Sequence, residues 1–296
     1  MSKSLFLLIL LLVNAPSFAM TGIFWQPQLR DNLASDTSWQ SLMQTLHYQG
    51  FDTLVIQWTR YGEAFANETE RALLLKKAQA ARQAGLKVII GLNADPDFFT
   101  RQKQPLAAQA NYLNRLLVQD RRQARLWAKT MGFQPDGWYI SAEIDDSNWR
   151  DKAARGQMTK WLSDTRRQLV AVAQKPVYIS SFFSGNMSPE GYRQLAADIE
   201  EAGVKVLIQD GGGVGKLNAV QRELYLQASA GCEVNTPGSG IVYEIFTANP
   251  GKVFSAQPQS PAKIQQLLER GSLCGKNRLY FSLRYLPAAR HVLRND

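Results

Sequence analysis

Histidine and cysteine are scarce: the 296-residue sequence holds two of each. His47 and His291 alone cannot supply a polyhistidine zinc centre, and they provide poorly for a Ser-His-Asp triad. Cys232 and Cys274 alone exclude a multi-bridge scaffold and a cysteine-built zinc or iron–sulfur site. A metal is therefore not expected, and no cofactor is assigned to the chain. Low-complexity tracts are also missing, and 45% hydrophobic residues against 20% charged is too apolar for a disordered chain. Beyond the first twenty residues, no apolar run is long enough for a transmembrane helix.

Those first residues read as an export signal. Lys3 gives a positive start, Leu5 to Val13 form a short apolar stretch, and Ser17-Phe18-Ala19 supplies small residues for cleavage after Ala19. Residues 1–19 are thus expected to be a signal peptide and residues 20–296 one exported domain, periplasmic or secreted, monomeric and not inserted in a membrane. No Cys follows the apolar run, so lipid modification is not indicated. Export leaves two readings for Cys232 and Cys274, a disulfide or two buried thiols. The formal charge of +9 is spread over helical stretches. Without a basic block or a basic-aromatic repeat, it reads as a solvated surface and not as a nucleic-acid face.

Short β-branched runs recur through the rest of the chain: Ile23 to Trp25, Thr53 to Ile56, Lys87 to Ile90, Trp138 to Ile140, Val177 to Ser180, Lys205 to Ile208, Ile241 to Ile245 and Leu279 to Leu283. Near-continuous hydrophobicity suits parallel strands covered on both faces. Helical patterns separate them, with Asp36 as an N-cap candidate and Pro105 opening the longest helix. Eight strand–helix repeats at roughly the spacing of a (β/α)8 unit predict an α/β fold, a single-domain TIM barrel. A doubly wound sheet would carry a glycine loop after its first strand, where this chain has Gln26-Pro27-Gln28.

In such a barrel, chemistry sits where each apolar run turns polar. Those positions supply Gln26, Gln57, Trp58, Asn93, Asp95, Glu143, Asp145, Gln209, Asp210, Glu244 and Arg284. Amides and carboxylates hydrogen-bond sugar hydroxyls, and indole rings cover the apolar faces of sugar rings. Glu143 closes Gly137-Trp138-Tyr139-Ile140-Ser141-Ala142, and Glu244 interrupts the apolar run at 241–246, where a buried carboxylate needs a reason. A pair at the barrel mouth could act as acid and base in glycoside cleavage. The alternative is a framework ion pair of Glu143 with Arg60 or Arg284. The glycine-rich Asp210 to Lys216 segment lacks the first Gly and the Ser/Thr of a phosphate loop.

The chain resembles a bacterial, often exported domain-of-unknown-function family with a glycoside-hydrolase-like TIM barrel. The segments that carry the resemblance include Thr-Gly-Ile-Phe-Trp-Gln-Pro at 21–27, Gly-Trp-Tyr-Ile-Ser-Ala-Glu-Ile-Asp-Asp at 137–146 and Gln-Asp-Gly-Gly-Gly-Val-Gly at 209–215. It is more distantly similar to the retaining TIM-barrel glycosidases, which carry an acid/base Glu at the end of strand four and a nucleophile Glu at the end of strand seven. Glu143 and Glu244 match those places, and Asp145 and Asp210 are alternative second carboxylates. That clan has Asn before the acid/base, where this chain has Ala142. The resemblance implies cleavage of a bacterial polysaccharide by Glu143 as acid/base and Glu244 as nucleophile or base, with the other strand-end residues binding sugar. Ala142 keeps a second reading open, a non-catalytic polysaccharide-binding protein.

Overall fold

A computed structural model describes residues 19–251 and 254–293. Of the segment expected to be an export signal, residues 1–18 lie outside the described residues. Eight parallel strands close into a barrel: β1 (Thr21–Trp25), β2 (Thr53–Ile56), β3 (Lys87–Gly91), β4 (Gly137–Asp145), β5 (Val177–Phe182), β6 (Lys205–Gln209), β7 (Gly240–Glu244) and β8 (Asn277–Phe281). β8 pairs back onto β1, with Ile23 opposite Tyr280, so the barrel has no free edge. This is the single-domain TIM barrel that the strand–helix alternation predicts.

One long helix follows each of the first seven strands, α1 (Asp36–Tyr48), α2 (Glu68–Gln83), α3 (Leu106–Thr130), α4 (Lys152–Val172), α5 (Pro189–Glu201), α6 (Ala219–Ala230) and α7 (Pro261–Glu269), with a single helical turn, Phe98–Arg101, ahead of α3. After β8 the described chain turns through two short 3-10 segments, Leu283–Tyr285 and Pro287–Ala289. Asp36 is the first helical residue of α1, and the cap is Ser35, whose side chain accepts the amide of Ser38.

Strand parity separates two cores. Ile23, Leu54, Val88, Trp138, Ile179, Val206, Ile241 and Tyr280 face the helices in one large cluster. Phe24, Val55, Ile89, Tyr139, Leu207, Val242 and Leu279 fill the barrel itself in a second one. Because side chains alternate along a strand, the residue two positions beyond each interior residue also points into the barrel, one step nearer its C-terminal mouth. That rule delivers Gln26, Gln57, Gln209, Glu244 and Phe281 to a single place. On β3 the position belongs to Gly91, where a Cβ would come within 2.2 Å of the Gln57 carbonyl oxygen.

β4 departs from the rule. Its pairing with β5 runs from Tyr139–Tyr178 to Glu143–Ser180, so four residues of β4 advance against two of β5. This bulge extends the strand beyond the expected end at Ile140 and re-aims Glu143. At the opposite end of the barrel, Cys232 and Cys274 form a disulfide with Cα atoms 5.3 Å apart, tying the segments that lead into β7 and β8. Among the described residues, no helix is long and apolar enough to cross a membrane and no cluster of His, Cys, Asp and Glu is arranged to hold a metal ion.

Candidate active site

The strand ends open into a cavity of about 590 Å³ whose lining includes Gln26, Gln57, Trp58, Asp95, Glu143, Gln209 and Glu244. Glu143 is half-buried, and its Oε1 accepts a hydrogen bond from Gln209 Nε2 at 3.1 Å. Burial holds its carboxyl above the usual range, the Gln209 hydrogen bond lowers it, and the charge of Asp145 adds to the rise.

Glu244 is nearly sealed, 2% exposed. Its Oε2 accepts the backbone amides of Gly213 at 2.6 Å and Val214 at 3.0 Å. Burial first, then the charge of Asp210, push its carboxyl up to about 7, against the two amides; Glu143 adds a further push. The charge of Glu143 is thus felt at Glu244 across one cavity. Beneath Glu244, Asp210 Oδ1 accepts the backbone N–H of Glu244 at 3.0 Å and of Gly212 at 3.1 Å, and Arg222 stands 3.8 Å from Oδ2. Asp210 is itself raised, chiefly by burial. A carboxylate thus shapes the turn whose next amides hold the glutamate.

Trp58 is half-buried, with Nε1 donating to the Pro27 carbonyl at 3.0 Å and its ring 4.8 Å from that of Tyr61. Asp95 lines the cavity beside Arg101 at 3.5 Å. Four of the strand-end residues sit apart from the cavity lining. Asn93 turns toward α3, its amide N–H donating to Asp120 and its Nδ2 to Gln119. Asp145 caps its own loop, accepting from the amides of Ser147 and Asn148 and from the side chains of Gln102 and Asn148. Asp210 underlies the cavity as described. Arg284 is buried against Asp31 at 2.7 and 2.9 Å, and Asp31 also takes the indole N–H of Trp25, so this pair joins the ends of β1 and β8. Arg60, the other partner weighed for Glu143, lies 3.7 Å from Glu63.

The lining also holds residues that strand-end reading missed: Tyr61, Phe99, Lys216, Arg222, Phe254 and Phe281. Phe281 has a sequence signal, because it stands two residues beyond interior Leu279. Arg222 comes from α6 and Phe99 from a short helical turn, Phe98–Arg101, while the rest come from connections whose paths composition does not fix.

The family model described as Domain of unknown function (DUF4434) matches residues 20–291. "Uncharacterized protein YbcH" of Escherichia coli (strain K12) is 59% identical over 294 residues, 99% of either chain. Among solved structures, a provisionally assigned alpha-L-fucosidase from Bacteroides thetaiotaomicron VPI-5482 superposes with a TM-score of 0.62 at 15% identity, over 92% of this chain and 88% of that one. The exo-beta-1,4-mannosidase Op5Man5 from Opitutaceae bacterium strain TAV5 gives 0.55 at 15% identity, covering 93% of this chain and 54% of its own. A GH18 chitinase from Pseudoalteromonas aurantia gives 0.51 at 11% identity, covering 93% and 100%. At these identities the likeness is one of fold.

Proposed function

The chain belongs to the family described as Domain of unknown function (DUF4434), and we propose that it is an exported glycoside hydrolase that cleaves a carbohydrate with two carboxyl groups, Glu143 and Glu244. The observation that carries the reading is that both glutamates line one cavity at the barrel mouth with carboxyls held above the usual range, one of them near neutrality. Two carboxyls raised by their surroundings can divide the roles, one protonated as acid and the other ionised as base. The fold of the glycosidases above supports the reaction class, while the carboxylates support the site.

Glu143 is the acid/base. It is the more accessible of the two, and a group that gives up and regains a proton in each turnover must exchange it with water. Its proton goes to the glycosidic oxygen as the bond from that oxygen to the anomeric carbon breaks. Glu244, with one oxygen fixed by two amides, presents the other to the anomeric carbon as nucleophile, or to a water that attacks it. Once Glu143 carries the proton, its charge no longer opposes ionisation of Glu244. Gln26, Gln57, Trp58, Asp95 and Gln209 bind the sugar, and the natural substrate is a bacterial polysaccharide met in the periplasm or outside the cell. Lys3 with the apolar run at 5–13 supports export.

A second reading, a glycan-binding protein without catalysis, is favoured by one observation: Ala142 lines the cavity where the retaining glycosidase clan carries Asn. A reducing-end and product-size assay on a panel of bacterial polysaccharides separates the two. Cleavage by the unaltered protein that falls at least ~100-fold in both Glu143→Gln and Glu244→Gln supports the hydrolase. Cleavage that survives both substitutions refutes the assignment, and glycan binding without new reducing ends selects the binding protein.

A further inference from the structure

Seven of the thirteen phenylalanines in the chain line this cavity, whereas of seven tryptophans only Trp58 does. A phenyl ring can cover an apolar surface but offers no group to a hydroxyl, unlike indole or phenol. Polar and apolar groups meet at both levels, since Phe281 stands among the strand-end amides and Asp95, Lys216 and Arg222 join the lining beyond the strand ends. At the strand ends stand Gln26, Gln57, Gln209 and the two glutamates. At the mouth, four different connections each leave an apolar or aromatic side chain in water: Tyr61 at 40% exposed, Phe99 at 47%, Val214 at 41% and Phe254 at 66%.

These rim groups are not isolated. Phe99 lies 6.3 Å from half-buried Phe182, and Phe254 lies 5.9 Å from buried Phe246, which in turn stands 6.0 Å from Phe281. Phenyl surface is therefore continuous from the mouth down to the strand ends. Exposed apolar patches that converge on a cavity mark what the ligand covers, and hydroxyls alone would gain little there.

We infer that, besides a polysaccharide, the cavity accepts an amphipathic glycoside: a sugar held at the polar strand ends, with an alkyl or acyl chain across the scissile bond that runs out along the phenylalanines. The inference rests on the hydrolase reading for the position of the scissile bond, while the path of phenyl rings stands without it. Each methylene taken from water strengthens binding about fourfold, so a chain that covers a few of them dominates the affinity of a small glycoside.

The test uses methyl and n-octyl glycosides of glucose, galactose, mannose, fucose and N-acetylglucosamine, below their micelle concentrations. Binding to Glu143→Gln is measured by calorimetry and hydrolysis with the unaltered protein. For at least one sugar the octyl glycoside binds at least about tenfold more tightly than the methyl glycoside, and Phe99→Ser and Phe254→Ser each lower that ratio. Equal affinity for both, no binding of any octyl glycoside, binding only above the micelle concentration, or octanoate binding as tightly as the glycosides would each overturn the inference. Octyl preference without hydrolysis keeps the amphipathic site and removes the two-carboxylate reaction. Hydrolysis indifferent to chain length does the reverse.

Discussion

Replacing Glu244 with Gln turns the buried carboxyl into a measurable stability term. Glu244 is 2% exposed and its carboxyl moves from 4.5 to about 7 on folding, chiefly because burial penalises the charge. Gln keeps the shape and an oxygen for the amides of Gly213 and Val214, but it cannot ionise. The sign follows from proton counting. Between pH 4.5 and 7 the unfolded chain has released this proton while the folded chain retains it, so the stability owed to this group is full below pH 4.5 and is lost as pH rises through 7. The shift corresponds to about 3 kcal/mol at ~1.4 kcal/mol per unit.

Urea unfolding of both proteins at half-unit steps from pH 4 to 8 measures the effect together with its coupling to Asp210 and Glu143, because titrating groups elsewhere contribute equally to both curves. The difference in unfolding free energy should move in favour of Glu244→Gln by about 3 kcal/mol across that window, with unchanged m-values. A difference that stays flat with pH would refute the reasoning, since it would mean that Glu244 ionises in the fold as freely as in water. The same substitution should abolish hydrolysis, so the site is expected to exchange stability for chemistry at this residue.

Gly213→Ala should disturb the same carboxylate from its other side. A Cβ there would come within 2.5 Å of the Phe246 carbonyl oxygen, so the turn must shift and the amide held by Glu244 Oε2 moves with it; kcat should fall ~100-fold, with a stability loss of about 1–3 kcal/mol from the backbone clash. Asp210→Asn retains an oxygen for the amides of Glu244 and Gly212 but removes the charge that helps to raise Glu244. The acid limb of the kcat/KM profile should therefore move to lower pH, and an unmoved limb would exclude electrostatic coupling between them. Replacing both Cys232 and Cys274 with Ser opens a loop closed across 42 residues. It should cost ~4 kcal/mol in denaturant unfolding, with catalysis unaffected because the bridge lies at the far end of the barrel.

Much of the fold was legible because a buried parallel strand must be apolar on both faces, and the eight runs stand out against polar helical surfaces. The end of β4 was not. Its bulge lets Ser141, Ala142 and Glu143 remain in strand after the apolar run has stopped, and only pairing with β5 reveals it. Helix α1 shows a smaller misreading of the same kind. Ser35 and Asp36 are both good capping residues, and the choice between them depends on which side chain reaches the Ser38 amide.

The site divides along strand parity. Gln57, Gln209 and Glu244 follow an interior residue at a spacing of two, so the alternation of side chains along each strand is enough to place them in the barrel. Asp210 directly follows Gln209, and that one-residue step takes it out of the lining and under the glutamate. Asp145 has the parity of a site residue, yet two amides and two side chains in its own loop claim it. A carboxylate at a strand end can serve a substrate or the orphan amides of the turn that follows, and composition is the same in either case. Arg284 illustrates the remaining difficulty, since its partner Asp31 stands 253 positions away in the chain. What separates the two glutamates from these other strand-end charges is a cavity in front of them. Burial raises Asp210 as well, so the difference is one of access to the cavity, which the loops after β6 and β7 help to wall.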